Sequence, residues 1–266
     1  MSVAKVRLES VDSIAIVTFN DPATLNAMDL QMCDDLACVL DQVAEAGNEY
    51  RCLLLTGEGR GFSSGANLAG DGTSNPGGGP FDAGAVLESH FNPLIARLHN
   101  LDIPIVTSVN GVAAGVGMSF ALLGDLILAA ESAYFLQAFT RIGLVPDGGA
   151  TWLLPRLVGA ARARELSLLA DKLPAETALQ WGLINRVCPN DTLMEDALAL
   201  ARKLASGPTL ALGLTRLLYA ASSDNTLAQQ LDMERDYQRR AGFNPDAAEG
   251  VASFIEKRAP RFTGQR

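Results

Sequence analysis

An α/β fold with a helical C-terminal region is the architecture this sequence predicts, and three observations carry it. Short β-branched apolar runs alternate with helix-length segments from Lys5 to about Leu136. Beyond Asp147 the composition turns helical. At 266 residues, with 48% hydrophobic and only 19% charged residues, the chain can bury a sizeable core. The predicted division is a core domain over residues 1–188 followed by a helical region over residues 189–266.

In chain order, Lys5 to Glu9 and Ile14 to Phe19 are alternating β runs around Val11-Asp12-Ser13, a hairpin pattern that Asn20-Asp21-Pro22 terminates. Asp29 is the expected N-cap of a helix whose apolar positions Met32, Leu36, Val39, Leu40 and Val43 share one face, ending at Gly47. Arg51 to Thr56 reads as a strand, Gly70 to Pro80 as a glycine-rich loop, and Phe81 to Asn100 as a helix. Ile103 to Ser108, Leu126 to Ala130 and Tyr134 to Leu136 complete the strands. Helices are expected over Ala160 to Ala170, Ala175 to Trp181, Asp191 to Ser206, Thr209 to Ala221, Thr226 to Ala241 and Asp246 to Arg258.

Composition excludes several function classes. A net charge of −9 is wrong for a nucleic-acid surface, which needs clustered Lys and Arg. The apolar stretches are interrupted by Gly, Asp or Arg before membrane-spanning length, and Met1 to Arg7 is followed by no secretory pattern. Cys33, Cys38, Cys52 and Cys188 stand singly and read as buried, reduced thiols. The expectation is a soluble cytoplasmic protein. The two histidines, His90 and His99, are spaced i, i+9, so no metal site is predicted.

Two glycine-rich segments carry the chemistry. Val109-Asn110-Gly111-Val112-Ala113-Ala114-Gly115-Val116-Gly117-Met118-Ser119 leaves a buried strand, turns on glycines and enters an apolar helix. Gly61-Phe62-Ser63-Ser64-Gly65-Ala66-Asn67-Leu68 repeats that arrangement after the strand ending at Thr56. Free N–H groups at such exits, approached closely over glycine, suit an oxyanion. Gly61 to Gly65 also matches the G-x-S-x-G nucleophile elbow, but no histidine follows the motif at the required late position. No P-loop occurs, and Phe120 stands where a third dinucleotide-binding glycine would be.

With Asn20-Asp21-Pro22, Leu25-Asn26-Ala27, Ile142-Gly143-Leu144-Val145-Pro146-Asp147-Gly148-Gly149 and the tail from Glu256-Lys257-Arg258 to Gly264, these segments resemble the crotonase (enoyl-CoA hydratase/isomerase) superfamily over essentially the whole chain. The resemblance implies a crotonase-like spiral of β-β-α turns with a helical C-terminal trimerisation region, assembling as a homotrimer or dimer of trimers. It implies an acyl-CoA substrate, with coenzyme A as part of the substrate and no separate cofactor. It also implies an oxyanion hole formed by the amides of Ala66 and Val116. Substrate and CoA contacts are implied at Ala27, Ser64, Gly65, Asn67, Leu68, Gly115, Phe139 and Lys257, the last reaching a neighbouring subunit's CoA.

Where hydratases of the family carry two glutamates, this chain has Ser119 and Phe139, and one acid remains nearby, Asp147. A single carboxylate that moves one proton between two carbons suffices for double-bond migration. The other reading of Asp147 is a cap for the helix that follows. Asp125, which opens a buried strand, reads as structural. Val116 replaces a family glycine and Asn67 an aspartate, so the first must be accommodated and the second loses an ion pair.

Asn92-Pro93-Leu94, Pro146 to Gly149 with Thr151 to Arg156, Glu234 to Arg239 and Glu249-Gly250-Val251 narrow the likeness to the branch that isomerises ring-epoxide acyl-CoA thioesters in phenylacetate catabolism. That branch also shifts double bonds between the Δ3 and Δ2 positions. Phe139, Trp152 and Phe81 are then candidates for a ring pocket, or else core aromatics. A hydratase with non-standard acid/base groups, a 4-chlorobenzoyl-CoA dehalogenase-like enzyme with Asp147 as nucleophile, and a non-catalytic scaffold are the alternatives.

Overall fold

The computed structural model describes residues 4–47, 49–69 and 82–266. The predicted loop Gly70 to Pro80 and Phe81 lie outside the described residues. The chain begins with the predicted antiparallel hairpin, β1 (Val6–Val11) and β2 (Ile14–Phe19), turning on Asp12 and Ser13, both at positive φ. Two consecutive left-handed residues match the twist of the flanking strands. β2 is buried along its whole length because it lies between β1 and the parallel strand β3 (Cys52–Gly57).

Helix α1 (Leu30–Glu45) begins as the sequence predicts, with the Asp29 carboxylate accepting from the Met32 N–H at 2.9 Å. Its five predicted core positions are all buried. Lys5 ties the start of this helix to the hairpin through ion pairs with Asp29 and Asp21.

A repeating unit follows. Each turn of chain contributes one strand to a six-stranded sheet, one to a four-stranded sheet, and then a helix. The first turn is β3, β4 (Gly61–Ser63), and the helical stretch α2 (Ala83–Val86), which passes through a π-turn at Leu87–Phe91 into α3 (Asn92–His99). The second is β5 (Ile105–Val109), β6 (Val112–Ala114) and α4 (Val116–Ala121). The third is β7 (Leu126–Ala130), β8 (Tyr134–Leu136) and, after a 3-10 turn at Ala138–Ile142, α5 (Ala150–Leu169). β3, β5 and β7 run parallel in the larger sheet, and β4, β6 and β8 run parallel in the smaller one. This is the crotonase-like spiral.

The remaining elements close it. β9 (Leu173–Pro174) edges the small sheet, and after α6 (Ala175–Trp181) β10 (Arg186–Cys188) edges the large one. Then come α7 (Leu193–Ala205), α8 (Thr209–Ser222), α9 (Leu227–Gly242) and α10 (Pro245–Glu256). α7 packs its buried face on β3, β5 and β7, while α9 carries no buried residue. No helix among the described residues is long and apolar enough to cross a membrane.

Two expectations are corrected, and two edge strands were not anticipated. α5 begins at Ala150, well before the predicted Ala160, because Gly159 (φ 79°, ψ 159°) breaks it into two helical segments and only the second shows in the sequence. β9 and β10 are too short to show any periodicity. Of the four free cysteines, Cys33, Cys52 and Cys188 are buried, but Cys38 is exposed on the outer side of α1.

Asp125 is structural, as expected. Its carboxylate accepts from the Ile105 N–H at 2.7 Å and from Arg216 Nε at 2.8 Å. The rest of the Arg216 guanidinium donates to the carbonyls of Leu98, His99 and Leu101, so one α8 side chain fastens the end of α3 and the start of β7. Replacing Arg216 by Ala leaves these acceptors and Asp125 without their cation, and the expected loss is about 3 kcal/mol of unfolding free energy in urea titrations. A loss below about 1 kcal/mol would place Arg216 among ordinary surface ion pairs.

Candidate active site

Two backbone exits meet because β4 and β6 pair in parallel, with Gly61 opposite Val112 and Ser63 opposite Ala113. Each chain then turns on a glycine at positive φ, Gly65 at 98° and Gly115 at 52°. A Cβ on Gly65 would stand 2.9 Å from the Ala114 carbonyl oxygen, and one on Gly115 would stand 3.9 Å from Gly65 Cα. The two backbones therefore abut as only glycine permits.

The residues that follow these glycines are Ala66 and Val116. On the first strand, Met28 N–H donates to the Gly65 carbonyl at 2.8 Å and Asn67 N–H to the Met28 carbonyl at 2.9 Å, which leaves the Ala66 N–H between them without an acceptor among the described residues. On the second, Gly115 N–H is taken by the Leu136 carbonyl at 2.9 Å, and Val116 opens α4. A first-turn N–H has no partner inside its own helix. Two adjacent amides are thus left unengaged, the arrangement an oxyanion hole requires.

The third turn supplies the rest. A Cβ on Gly115 would meet the Phe139 ring at 3.8 Å, which puts that aromatic against the second exit. Asp147 precedes Gly148 and Gly149, both at positive φ, in a turn closed by Ala150 N–H donating to the Asp147 carbonyl at 3.0 Å. Ser119 Oγ donates to the same carbonyl at 3.0 Å. A Cβ on Gly148 would fall 3.0 Å from Val116 Cγ2 and 2.9 Å from Ser119 Cβ, so the turn that begins at Asp147 packs on the first turn of α4. Asp147 Oδ1 is buried and has no hydrogen-bond partner among the described residues. Burial alone pushes this carboxyl up from 3.8 to about 6.

A carboxyl titrating near neutrality beside two free amides is the equipment of proton transfer next to a carbonyl. Comparisons with known proteins give the chain its family. The family model for enoyl-CoA hydratase/isomerase matches residues 9–265. The chain belongs to that family. The 1,2-epoxyphenylacetyl-CoA isomerase of Escherichia coli K12 is 48% identical over 252 residues, covering 95% of both chains. The 2,3-dehydroadipyl-CoA hydratase of the same organism is 32% identical, covering 95% of this chain and 96% of that one. Among solved structures, an enoyl-CoA hydratase/isomerase from Cupriavidus metallidurans CH34 superposes with a TM-score of 0.90 at 30% identity, covering 100% of this chain and 98% of that one. This chain is accordingly an enzyme of acyl-CoA thioesters within the crotonase fold.

Ala27 is buried one residue before the Met28 bridge to Ala66, while Ser64, Gly65, Asn67 and Leu68 run along the first exit with Leu68 exposed. Asn67 Oδ1 accepts from the Ala69 N–H at 3.1 Å instead of holding a charge. Val116, the residue in place of a family glycine, is accommodated because Gly148 has no Cβ. Lys257 does not join this cluster in the single chain. It forms the exposed C-cap of α10, a helix that packs on α9. Nearby tail cations are engaged elsewhere, Arg258 with Glu249 and Glu256, and Arg266 with Asp102.

Trp152 is half-buried under the Arg156 guanidinium and edge-on to His99, so it is neither core nor beside the amides. The nucleophile elbow is excluded by its own geometry. Ser63 is fully buried, donates to the Asn26 carbonyl at 2.8 Å and accepts from the Gly65 N–H. Sequence reasoning missed Asn26, whose buried side chain binds the Gly61 and Glu58 carbonyls and the Asp21 N–H, holding the first exit against β2. A polar residue between Leu25 and Ala27 was its signal in the sequence, and Asn is a side chain that tolerates the left-handed φ found there.

Raising a carboxyl's folded-state pKa means the fold favours the protonated form. No penalty exists below the ordinary value of 3.8, and the penalty grows as pH rises to about 6 and stays constant above it. Asp147→Asn is therefore expected to be more stable than wild type by roughly 1–3 kcal/mol at about pH 7.5 and equal to it near pH 3.5, measured by urea unfolding at both. An equal difference at the two pH values would mean that the carboxyl is not desolvated in the fold.

Proposed function

We propose that this protein is an acyl-CoA isomerase that moves a proton with one carboxyl, Asp147, against an oxyanion hole formed by the Ala66 and Val116 amides. The observation that carries this reading is the buried, unpartnered Oδ1 of Asp147 beside the second exit. With the thioester oxygen accepting from the two amides, ionised Asp147 removes a proton from the chain and leaves a dienolate whose charge the amides stabilise. The resulting carboxylic acid returns the same proton two carbons away, and the double bond has moved with no net gain or loss of atoms. Each amide is worth about 3 kcal/mol of transition-state stabilisation.

Hydration would need a second acid/base group to handle water. The positions matching the hydratase glutamates are Ser119 and Phe139, and neither is an acid. Phe139 packed against Gly115 supports an acyl group that carries a ring. Together with the similarity to an epoxyphenylacetyl-CoA isomerase, this favours the rearrangement of 2-(1,2-epoxy-1,2-dihydrophenyl)acetyl-CoA to its oxepin, alongside Δ3 to Δ2 enoyl shifts. No resident cofactor enters the scheme, since coenzyme A arrives with the substrate.

Wild type is expected to convert a 3-enoyl-CoA to the conjugated 2-enoyl form, followed by absorbance, without hydrating a 2-enoyl-CoA. Asp147→Asn should lose at least about a thousandfold in kcat, and wild-type kcat/KM should fall as pH drops through about 6. Hydration, halide release from a chlorinated aroyl thioester, or isomerisation that survives Asp147→Asn would each overturn the scheme.

Assembly is part of the proposal. α9 has no buried residue, and Leu227, Leu231, Phe243, Val251, Phe254 and Ile255 are exposed on α9, α10 and their connections. An apolar surface of this extent on a monomer supports burial against other copies, as a homotrimer or a dimer of trimers in which Lys257 reaches a neighbour's CoA. Sedimentation should give a trimer or hexamer for wild type and a smaller species for Phe254→Asp. A monomeric wild type would refute the assembly while leaving the chemistry of Asp147 open to its own test.

A further inference from the structure

Helix α4 does two things at once in this chain. Its first residue supplies the second oxyanion amide, and one turn later Ser119, on the same face, supplies a hydroxyl. That hydroxyl is fully buried and donates to the main-chain carbonyl of Asp147 across 3.0 Å. Among the described residues it is the only hydrogen bond between the Asp147–Gly149 turn and α4. The turn's remaining hydrogen bonds run to α5, from the Ala150 N–H to the Asp147 carbonyl and from the Trp152 and Leu153 N–H groups to the Gly149 carbonyl, so they join it to the helix that follows and not to α4.

We infer that Ser119 is a positioning residue. Its hydroxyl clamps the Asp147 turn to the helix that carries the Val116 amide and so sets the distance between base and oxyanion hole. The packing beside it points the same way. Gly148 fits against Ser119 Cβ and Val116 Cγ2 with no room for a side chain, so the turn is seated on α4 sterically and latched there by one hydrogen bond. The side chain of Asp147 has no such restraint of its own, because Oδ1 lacks a partner. Its aim is inherited from the backbone that Ser119 holds. A structural serine in a buried helix would ordinarily bond back to its own helix instead.

This inference rests on the isomerase reading, and the experiment separates the two. Ser119→Ala, Ser119→Cys and Asp147→Asn are compared with wild type for 3-enoyl-CoA isomerisation over a range of pH. Ser119→Ala is expected to lose roughly tenfold or more in kcat with KM within about twofold, because a displaced base costs reaction geometry more than binding. Its acid limb should move to lower pH, since an untethered carboxyl regains solvent. Ser119→Cys, which keeps a donor, should recover part of both effects.

A Ser119→Ala enzyme with wild-type kcat and acid limb overturns the inference while Asp147→Asn remains inactive. A loss shared between kcat and KM with an unmoved acid limb overturns it too, since that is what general loosening of the fold would give. Full activity in Asp147→Asn removes the isomerase reading itself. Should Ser119→Ala fold poorly, Ser119→Cys decides: a partial loss of kcat at unchanged KM with the acid limb moved part of the way to lower pH supports the clamp, and wild-type kcat with an unmoved limb overturns it.

Discussion

The parallel pairing of β4, β6 and β8 is the constraint on which the rest of the molecule depends. Parallel strands that follow one another in a spiral leave the sheet at the same edge, so three exits separated by long stretches of sequence end side by side. The first exit delivers Ala66, the second Val116, and the third Phe139 and Asp147. A single antiparallel strand among them would have sent one exit to the opposite edge. The close approach of Gly65 to the second exit is the local condition that makes this register usable, since a methyl group there would strike the Ala114 carbonyl, while Gly115 meets the need for a left-handed φ.

The same convergence explains why Asp147 is unusual. Desolvation is the whole cause of its raised pKa, with no charged neighbour contributing. Among the described residues, the buried Asp246 is compensated by the Thr263 and Gly264 N–H groups, and Asp125 by Arg216 and a backbone amide. Such compensation is the rule for buried acids, and an acid left without it lowers the stability of the fold at neutral pH. What the fold gains is a group that can hold a proton and release it near physiological pH, which a salt-bridged carboxylate cannot do. Stability and function are in direct opposition at this residue.

Much of this was legible in the sequence. The hairpin, α1 with its Asp29 cap, and the strands β3, β5, β7 and β8 follow from periodicity and capping, and the two glycine exits followed from strand–glycine–helix order, but β4 and β6, three residues each, lay hidden inside those glycine-rich segments. What escaped has identifiable causes. The first half of α5 was hidden because Gly148-Gly149 before it, Pro155 inside it and Gly159 after it all read as breakers; Gly149 at left-handed φ forms its N-cap. The contribution of Ser119 was invisible because a small residue in an apolar helix looks like core packing, and its acceptor lies 28 positions downstream.

The residues around the base also constrain one another. Val116 in place of glycine adds a side chain at the point where the Asp147 turn must come close, and Gly148 gives up a side chain at the matching place. Ser119 keeps its Cβ within the same contact and spends its hydroxyl on the turn's carbonyl. A glutamate at position 119 would add bulk at the contact where Ser119 Cβ and Gly148 already meet, and as a carboxylate it could not donate to the Asp147 carbonyl as Ser119 does. Carrying the acid at position 147 and carrying one at position 119 are therefore competing solutions on this backbone. Positions 116, 119, 147 and 148 form a packed set, and on the proposed chemistry the kind of proton transfer is a property of the set, not of Asp147 alone.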